Sequence, residues 1–404
     1  MWIKNRQLQV LADQAVFSGT SFLLTILIAR YMDISDFGIY SAYILLIYLA
    51  VSAISSWTTQ VYQVATEKTH DYIGFIFWFQ VLLSVLSVGT VCLVGVFIGF
   101  ETSYSVFLFG FGFVMYDFGR KLFLADAKIS HVLLLDVLTS VLMILAFFYY
   151  TFQDIKVLNN LFLYFGNVYM ISLAVIVFIL KPFHFDTFHF RTYMRHHIIE
   201  GKWLFFTSVS QWWAGNLFVV ASGLYIGAAA LGALRLSQSL LGVLNVLLQS
   251  FENYVLPQSD QKMNIDMNMG VSYLKEMNKK LAFVFIPVLV LLFVMASPIL
   301  MLTGGTEYTE YTYVLQGLCI LYVFILLSQP IRFMIRAMHL NQYFFIGYLF
   351  SLAYAIITSH ELISSFGLVG VVTGLIGAQI ILIVYWLFIL QSKKQDLWKS
   401  CISF

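Results

Sequence analysis

The sequence predicts an all-α, polytopic membrane protein with about 12 transmembrane helices. Three observations predict it. Of 404 residues, 61% are hydrophobic and only 10% are charged, whereas a soluble domain is roughly 45–50% apolar and 25% charged. The apolar residues gather into segments of about 20, the length needed to cross a bilayer as a helix. The Lys and Arg residues fall almost entirely into alternate connections between those segments, as the positive-inside rule requires.

The spans read in order as 10–31, 37–57, 73–99, 104–124, 129–150, 158–180, 203–223, 229–251, 281–303, 311–329, 343–363 and 366–391. Lys4 and Arg6 precede the first, as in a signal peptide. That segment is nevertheless long enough to span, and no small-residue cleavage site follows, so it reads as an uncleaved helix. Connections are shortest between the fourth and fifth spans and between the eleventh and twelfth. All of the 22 Lys and Arg residues except Arg30, Lys156 and Arg235 lie on the side holding both termini. That side is therefore expected to be cytoplasmic. The opposite side collects Asp33, Asp36, Glu101, Asp154, Glu307, Glu310 and Glu361.

Several function classes are disfavoured. A net charge of +2 gives no basic field for nucleic acid. Cys92, Cys319 and Cys401 form no CxxC pattern and read as small apolar side chains. Gly201-Lys202 lacks the earlier glycine of a phosphate-binding loop, because His196 stands there. His196-His197 read as part of a solvated loop, and no metal or cofactor is expected. The two longest connections, Lys181–Lys202 and Glu252–Lys280, are too short for a folded catalytic domain.

The chain also reads as doubled. A shift of 194 residues lays Tyr31 on Tyr225, Phe37-Gly38-Ile39-Tyr40 on Leu231-Gly232-Ala233-Leu234, and Thr59-Gln60-Val61 on Asn253-Tyr254-Val255. Parallel repeats of six spans give this pattern. The expected organisation is a six-helix bundle over 1–180, a cytoplasmic connecting loop over 181–202, a second bundle over 203–391 and a cytoplasmic tail over 392–404.

The eighth span is the most informative. Arg235, Gln238, Gly242, Asn245, Gln249 and Glu252 recur at steps of three and four, which places them on one helical face. A polar stripe nearly the length of a spanning helix cannot face lipid cheaply. A water-filled path accounts for it, with hydrogen bonds to neighbouring helices as the alternative. Gln14 and Ser18 step along the first span, continued by Ser21 and Thr25, with Asp13 at its inner end. The seventh span carries Gln211, Trp212 and Asn216 near its middle. Trp212 and Trp213 suit either core packing or stacking against sugar rings. Asp117 and Arg120, at helical i,i+3 spacing, read as a pair. Asp136, two turns into the fifth span, reads as a proton-coupling group or an arginine's partner. Gly367, Gly370, Gly374 and Gly377 form a small-residue face for helix packing, and Pro287, Pro298 and Pro330 mark bends or ends.

With these residues in view, the chain resembles a Wzx-type flippase of the polysaccharide transport family, within the multidrug/oligosaccharidyl-lipid/polysaccharide exporter superfamily. Three segments carry the resemblance. They are Ala29-Arg30-Tyr31 with Asp36-Phe37-Gly38-Ile39-Tyr40, Tyr225-Ile226-Gly227 through Leu231-Gly232-Ala233 to Pro257, and Phe366-Gly367-Leu368-Val369-Gly370-Val371. The resemblance implies a MATE-like fold of two six-helix bundles around a central cavity. It implies movement of an undecaprenyl-diphosphate-linked oligosaccharide, such as an O-antigen or related repeat unit of lipopolysaccharide, across the bacterial inner membrane. Implied partners are that lipid-linked oligosaccharide, membrane lipids, a polysaccharide polymerase and a chain-length regulator. A diphosphate suits a cationic cavity, and Arg235, helped by Arg30, Arg120 and Arg332, is the implied positive charge. A cation-coupled multidrug antiporter would share this architecture. A membrane enzyme of glycan assembly is the alternative of another class.

Overall fold

The computed structural model describes residues 6–65, 68–99, 103–154, 156–183 and 187–392. Lys4, Glu101, Cys401 and nearly all of the expected tail lie outside these residues. Among the described residues there is no strand, and nine helices are long and apolar enough to cross a membrane. The chain is a multi-pass, all-α membrane protein.

The chain divides into two compact units. The first comprises residues up to Met32 and Ile39–Val209. It holds α1 (Arg6–Tyr31), most of α2 (Ile34–Trp57), the short α3 (Thr59–Val64), α4 (His70–Phe97), α5 (Tyr104–Ala125), α6 (Ile129–Phe152), α7 (Leu158–Leu180) and the first part of α8 (Thr187–Tyr225). The second comprises Asp33–Gly38 and the chain from Ser210 onward. It holds the rest of α8, then α9 (Ala228–Ile265), α10 (Met267–Val294), α11 (Ala296–Thr303), a 3₁₀ turn (Thr306–Tyr311), α12 (Thr312–Ala337) and α13 (Asn341–Ser392). Every expected span falls on helix, with 281–303 divided between α10 and α11 at Met295. α5 and α8 are not among the nine: Asp117, Arg120 and Lys121 crowd the C-terminal end of α5, and the spanning part of α8 is rich in Ser, Thr, Gln and Trp.

α13 is 52 residues long. An unbroken helix of that length would measure about 78 Å at 1.5 Å per residue, far more than a bilayer needs. It bends at Gly367, whose φ of 55° and ψ of −134° lie outside the range open to other residues. Gly367 thus separates the last two expected spans. Gly374 packs against Phe218 of α8 and Gly377 against Tyr354, so the rest of the glycine face serves close packing. Pro287 and Pro330 lie inside α10 and α12, and Pro298 in the first turn of α11.

The two long connections expected as loops are mostly helical, which corrects the sequence reading. α9 continues to Ile265 and α10 starts at Met267, separated only by Asp266, whose side chain caps α10 by accepting from the Asn268 N–H at 3.1 Å. Polar residues mask an apolar stripe here. Val255, Val271 and Leu274 are buried in one cluster with Ile331, Phe333, Met334, Leu382 and Trp386. The connection after α7 is helical from Thr187. His197 within it is fully buried rather than solvated. Its Nδ1–H donates to the Trp57 carbonyl at 2.7 Å, and Tyr72 Oη donates to Nε2 at 2.7 Å. Phe75, Phe79 and Tyr72 surround the ring. Burial holds the imidazole neutral, lowering its pKa to about 4 against the opposing Trp57 hydrogen bond.

Candidate functional site

The polar stripe of α9 ends in a cavity of about 360 Å³ within the second unit. α9 supplies Asn245, Gln249 and Glu252 to its wall. Their i, i+4, i+7 spacing gives them one face, which Leu248 completes, while Leu244 turns into the core. α12 supplies Ser328, Gln329 and Arg332, α13 supplies Tyr348, Ser351, Gln379 and Trp386, and α8 supplies Ala214 and Gly215.

Glu252 organises the charge. Its carboxylate accepts from Arg332 Nη2 at 2.8 Å and from Arg336 Nη1. The two arginines stand one turn apart on α12, so a single carboxylate reaches both. The three side chains together carry one net positive charge. Gln379 donates to Ser328 Oγ at 2.9 Å. Three polar atoms on the cavity residues are buried with no hydrogen-bond partner among the described residues: Arg332 Nε, Trp386 Nε1 and Gln329 Oε1. Leaving each unsatisfied costs roughly 1–3 kcal/mol.

The other expected residues of this unit lie elsewhere. Arg235 donates to Gln238 at 3.0 Å, and neither lines the cavity. On α8, Asn216 donates to the Trp212 carbonyl at 2.9 Å, and Trp212 packs edge-on against Trp213. Gln211 is half-buried beside them. The sequence reading missed Arg336, Gln329, Gln379 and Trp386. A signal was present on α12, where Ser328, Gln329, Arg332 and Arg336 interrupt an apolar helix at helical spacing.

The first unit holds a separate buried network. Arg120 Nε donates to Asp136 at 2.7 and 2.9 Å, and Arg120 Nη2 to Asp13 at 3.0 Å. Tyr116 Oη donates to Asp136 at 2.6 Å, and the guanidinium lies 3.8 Å from the Phe17 ring centroid. Asp136 is fully buried, and Asp13 Oδ1 is buried with no hydrogen-bond partner among the described residues. α1, α5 and α6 each contribute one charged group. The expected Asp117–Arg120 pair is not formed. Asp117 pairs instead with Lys121 at 2.7 Å, one turn along α5, because Arg120 faces α1 and α6. Gln14 donates to Ser18 at 2.9 Å along α1.

No sequence profile of a protein family matches the chain, and no curated protein matches it in sequence. Solved structures do match its fold. The lipid II flippase MurJ, in an inward closed conformation, superposes with a TM-score of 0.68 at 15% identity, covering 96% of this chain and 87% of that one. An inward-facing multidrug resistance MATE family transporter of the MOP superfamily gives 0.64 at 13%, covering 98% and 97%. A MOP superfamily transporter from Pyrococcus furiosus gives 0.57 at 14%, covering 97% and 92%. The fold is therefore MATE-like and shared with MurJ.

Proposed function

We propose that this chain is a flippase that carries a lipid-linked oligosaccharide across the bacterial inner membrane, in the manner of Wzx-type proteins. The observation that carries the reading is the second-unit cavity, which sets Glu252, Arg332, Asn245, Gln249 and Gln379 among membrane-spanning helices. A hydrophilic head needs such a wall, because a charged diphosphate in bare hydrocarbon costs on the order of ten kcal/mol or more. The lipid tail stays in the bilayer and needs no protein path. Alternating access supplies the vectorial step. Both termini face the cytoplasm, from the Lys/Arg asymmetry. The product would pass to a polymerase working with a chain-length regulator. The reading includes no catalytic step.

The test uses purified protein in proteoliposomes with a fluorescent undecaprenyl-diphosphate-linked oligosaccharide. Protein-dependent loss of protection from a membrane-impermeant quencher is expected. Unchanged protection relative to empty liposomes rejects the reading.

A second reading, a cation-coupled antiporter of small molecules, is favoured by the Asp13–Arg120–Asp136 network, where two carboxylates share one arginine. Export of a cationic dye that depends on a proton or sodium gradient, with no movement of the lipid-linked glycan, selects it.

A further inference from the structure

We propose that Glu252 is an exchangeable internal anion, holding the Arg332–Arg336 pair until a phosphate group of the ligand takes its place. The proposal rests on the flippase reading for its biological cargo, and the binding chemistry is tested separately.

Glu252 bridges both arginines at the wall of a cavity. A carboxylate offers two oxygens and satisfies one N–H on each arginine, yet a guanidinium carries five donors. Arg332 Nε is left buried and unpartnered, as is the Trp386 indole N–H on the same wall. The seated carboxylate therefore leaves donors and a net positive charge unmet. A phosphate group brings more oxygens and more negative charge, and it suits arginine forks better than a carboxylate does. Glu252 is itself only 12% exposed, but it borders the cavity beside the exposed Asn245 and Gln249, where water or a ligand's hydroxyls can receive the freed carboxylate. The chemistry recognised is a phosphate or diphosphate, supplied either by a lipid headgroup or free in solution.

The experiment measures binding of inorganic pyrophosphate to the purified full chain in detergent. Glu252→Gln keeps the shape and removes the competing charge, so affinity should rise on the order of tenfold for a single charge at this distance. Arg332→Gln should abolish binding, and Glu252→Gln combined with Arg336→Gln should return affinity towards the wild-type level. Glu252→Asp, which keeps the charge but shortens its reach, should also bind more tightly than wild type, and it serves where the amide variant does not fold. Nanodiscs of phosphatidylcholine with and without phosphatidic acid distinguish the source. Thermal stabilisation by phosphatidic acid that grows in Glu252→Gln places the phosphate on a lipid, and pyrophosphate binding in detergent places it free in solution. Folded Glu252 variants that bind neither probe better than wild type overturn the proposal. Glu252-controlled binding in a chain that moves no lipid-linked glycan overturns the flippase reading alone. Glycan movement without any Glu252 effect on binding overturns this inference alone.

Discussion

Gly38 and Gly232, which a shift of 194 residues lays on each other, pack against each other in the second unit. A Cβ on Gly232 would lie 2.5 Å from the Ile34 carbonyl oxygen and 3.2 Å from the Gly38 nitrogen, and a Cβ on Gly38 would collide with the Ala228 carbonyl. The shift of 194 residues relates Ile34 to Ala228 as well as Gly38 to Gly232. It also aligns the ends of α1 and α8, at Tyr31 and Tyr225, and the starts of α2 and α9. The contact is thus symmetric, with each helix start presenting a glycine to the other's first carbonyl.

Substitution of either glycine should therefore destabilise the protein sharply. The obstacle is backbone, which cannot move as a side-chain tip can. Gly38→Ala and Gly232→Ala should each cost at least the roughly 1–3 kcal/mol typical of overpacking. Gly19→Ala, where nothing lies within 4 Å, is the control. Thermal unfolding in detergent measures the difference. Equal midpoints for Gly232→Ala and Gly19→Ala would show that the contact is not tight in the protein.

The Arg120 network predicts an asymmetry between neighbouring acids on or near α5. Removing one partner of a buried ion pair strands the other charge, at about 3–5 kcal/mol. Asp136→Ala and Arg120→Ala should lose that much stability, measured by unfolding in detergent. Asp117→Ala breaks only a half-exposed i,i+4 pair with Lys121 and should lose less than about 1 kcal/mol. If Asp117→Ala is as damaging as Asp136→Ala, the partners have been assigned wrongly.

Much of this architecture was legible in the sequence, for reasons that also explain what was not. Spans are dictated by the bilayer, so the expected spans fall on helix, although 281–303 is split between α10 and α11. Helix ends outside the bilayer are less constrained. The segment 252–280 reads as a polar loop, yet Val255, Val271 and Leu274 form a buried stripe at helical spacing. The pairing of Asp136 with an arginine was one of two readings its depth suggested. Which arginine depended on the rotation of α5, which Asp117 and Arg120 at i,i+3 could not reveal. The stripe on α9 was visible, but its lower half alone borders the cavity. The partners across it, on α12 and α13, lie about 80 to 140 residues away in sequence, and no local pattern joins them.

His197 predicts a pH dependence. Its folded pKa of about 4 lies below the ordinary value of 6.5, because the charged ring is disfavoured in a buried site. The neutral form is the one the fold holds, so His197 imposes no penalty above pH 6.5. As pH falls below 6.5 the unfolded chain gains a proton that the folded chain refuses, and stability declines until the folded pKa is passed near 4. The full effect is on the order of a few kcal/mol. The unfolding midpoint in detergent should drop over this window, and His197→Gln should flatten that part of the profile. An unchanged slope in the variant assigns the pH dependence to other groups.

The α9 stripe predicts a break in accessibility along one helix. Asn245 and Gln249 line the cavity, whereas Leu244 is buried in the core and Gln238 is tied to Arg235 away from the cavity. Single cysteines at Asn245 and Gln249, in a background lacking Cys92, Cys319 and Cys401, should react quickly with a charged methanethiosulfonate. A cysteine at Leu244 should react far more slowly, although it adjoins Asn245 in sequence. Since Arg332 and Glu252 border the same space, inorganic pyrophosphate should protect the cysteine at Gln249, one turn from Glu252, more than the one at Asn245, two turns away. A cysteine at Leu244 that reacts as fast as the one at Asn245 would place the hydrated surface elsewhere on α9. Equal protection at both polar positions would place the bound phosphate away from the arginine pair.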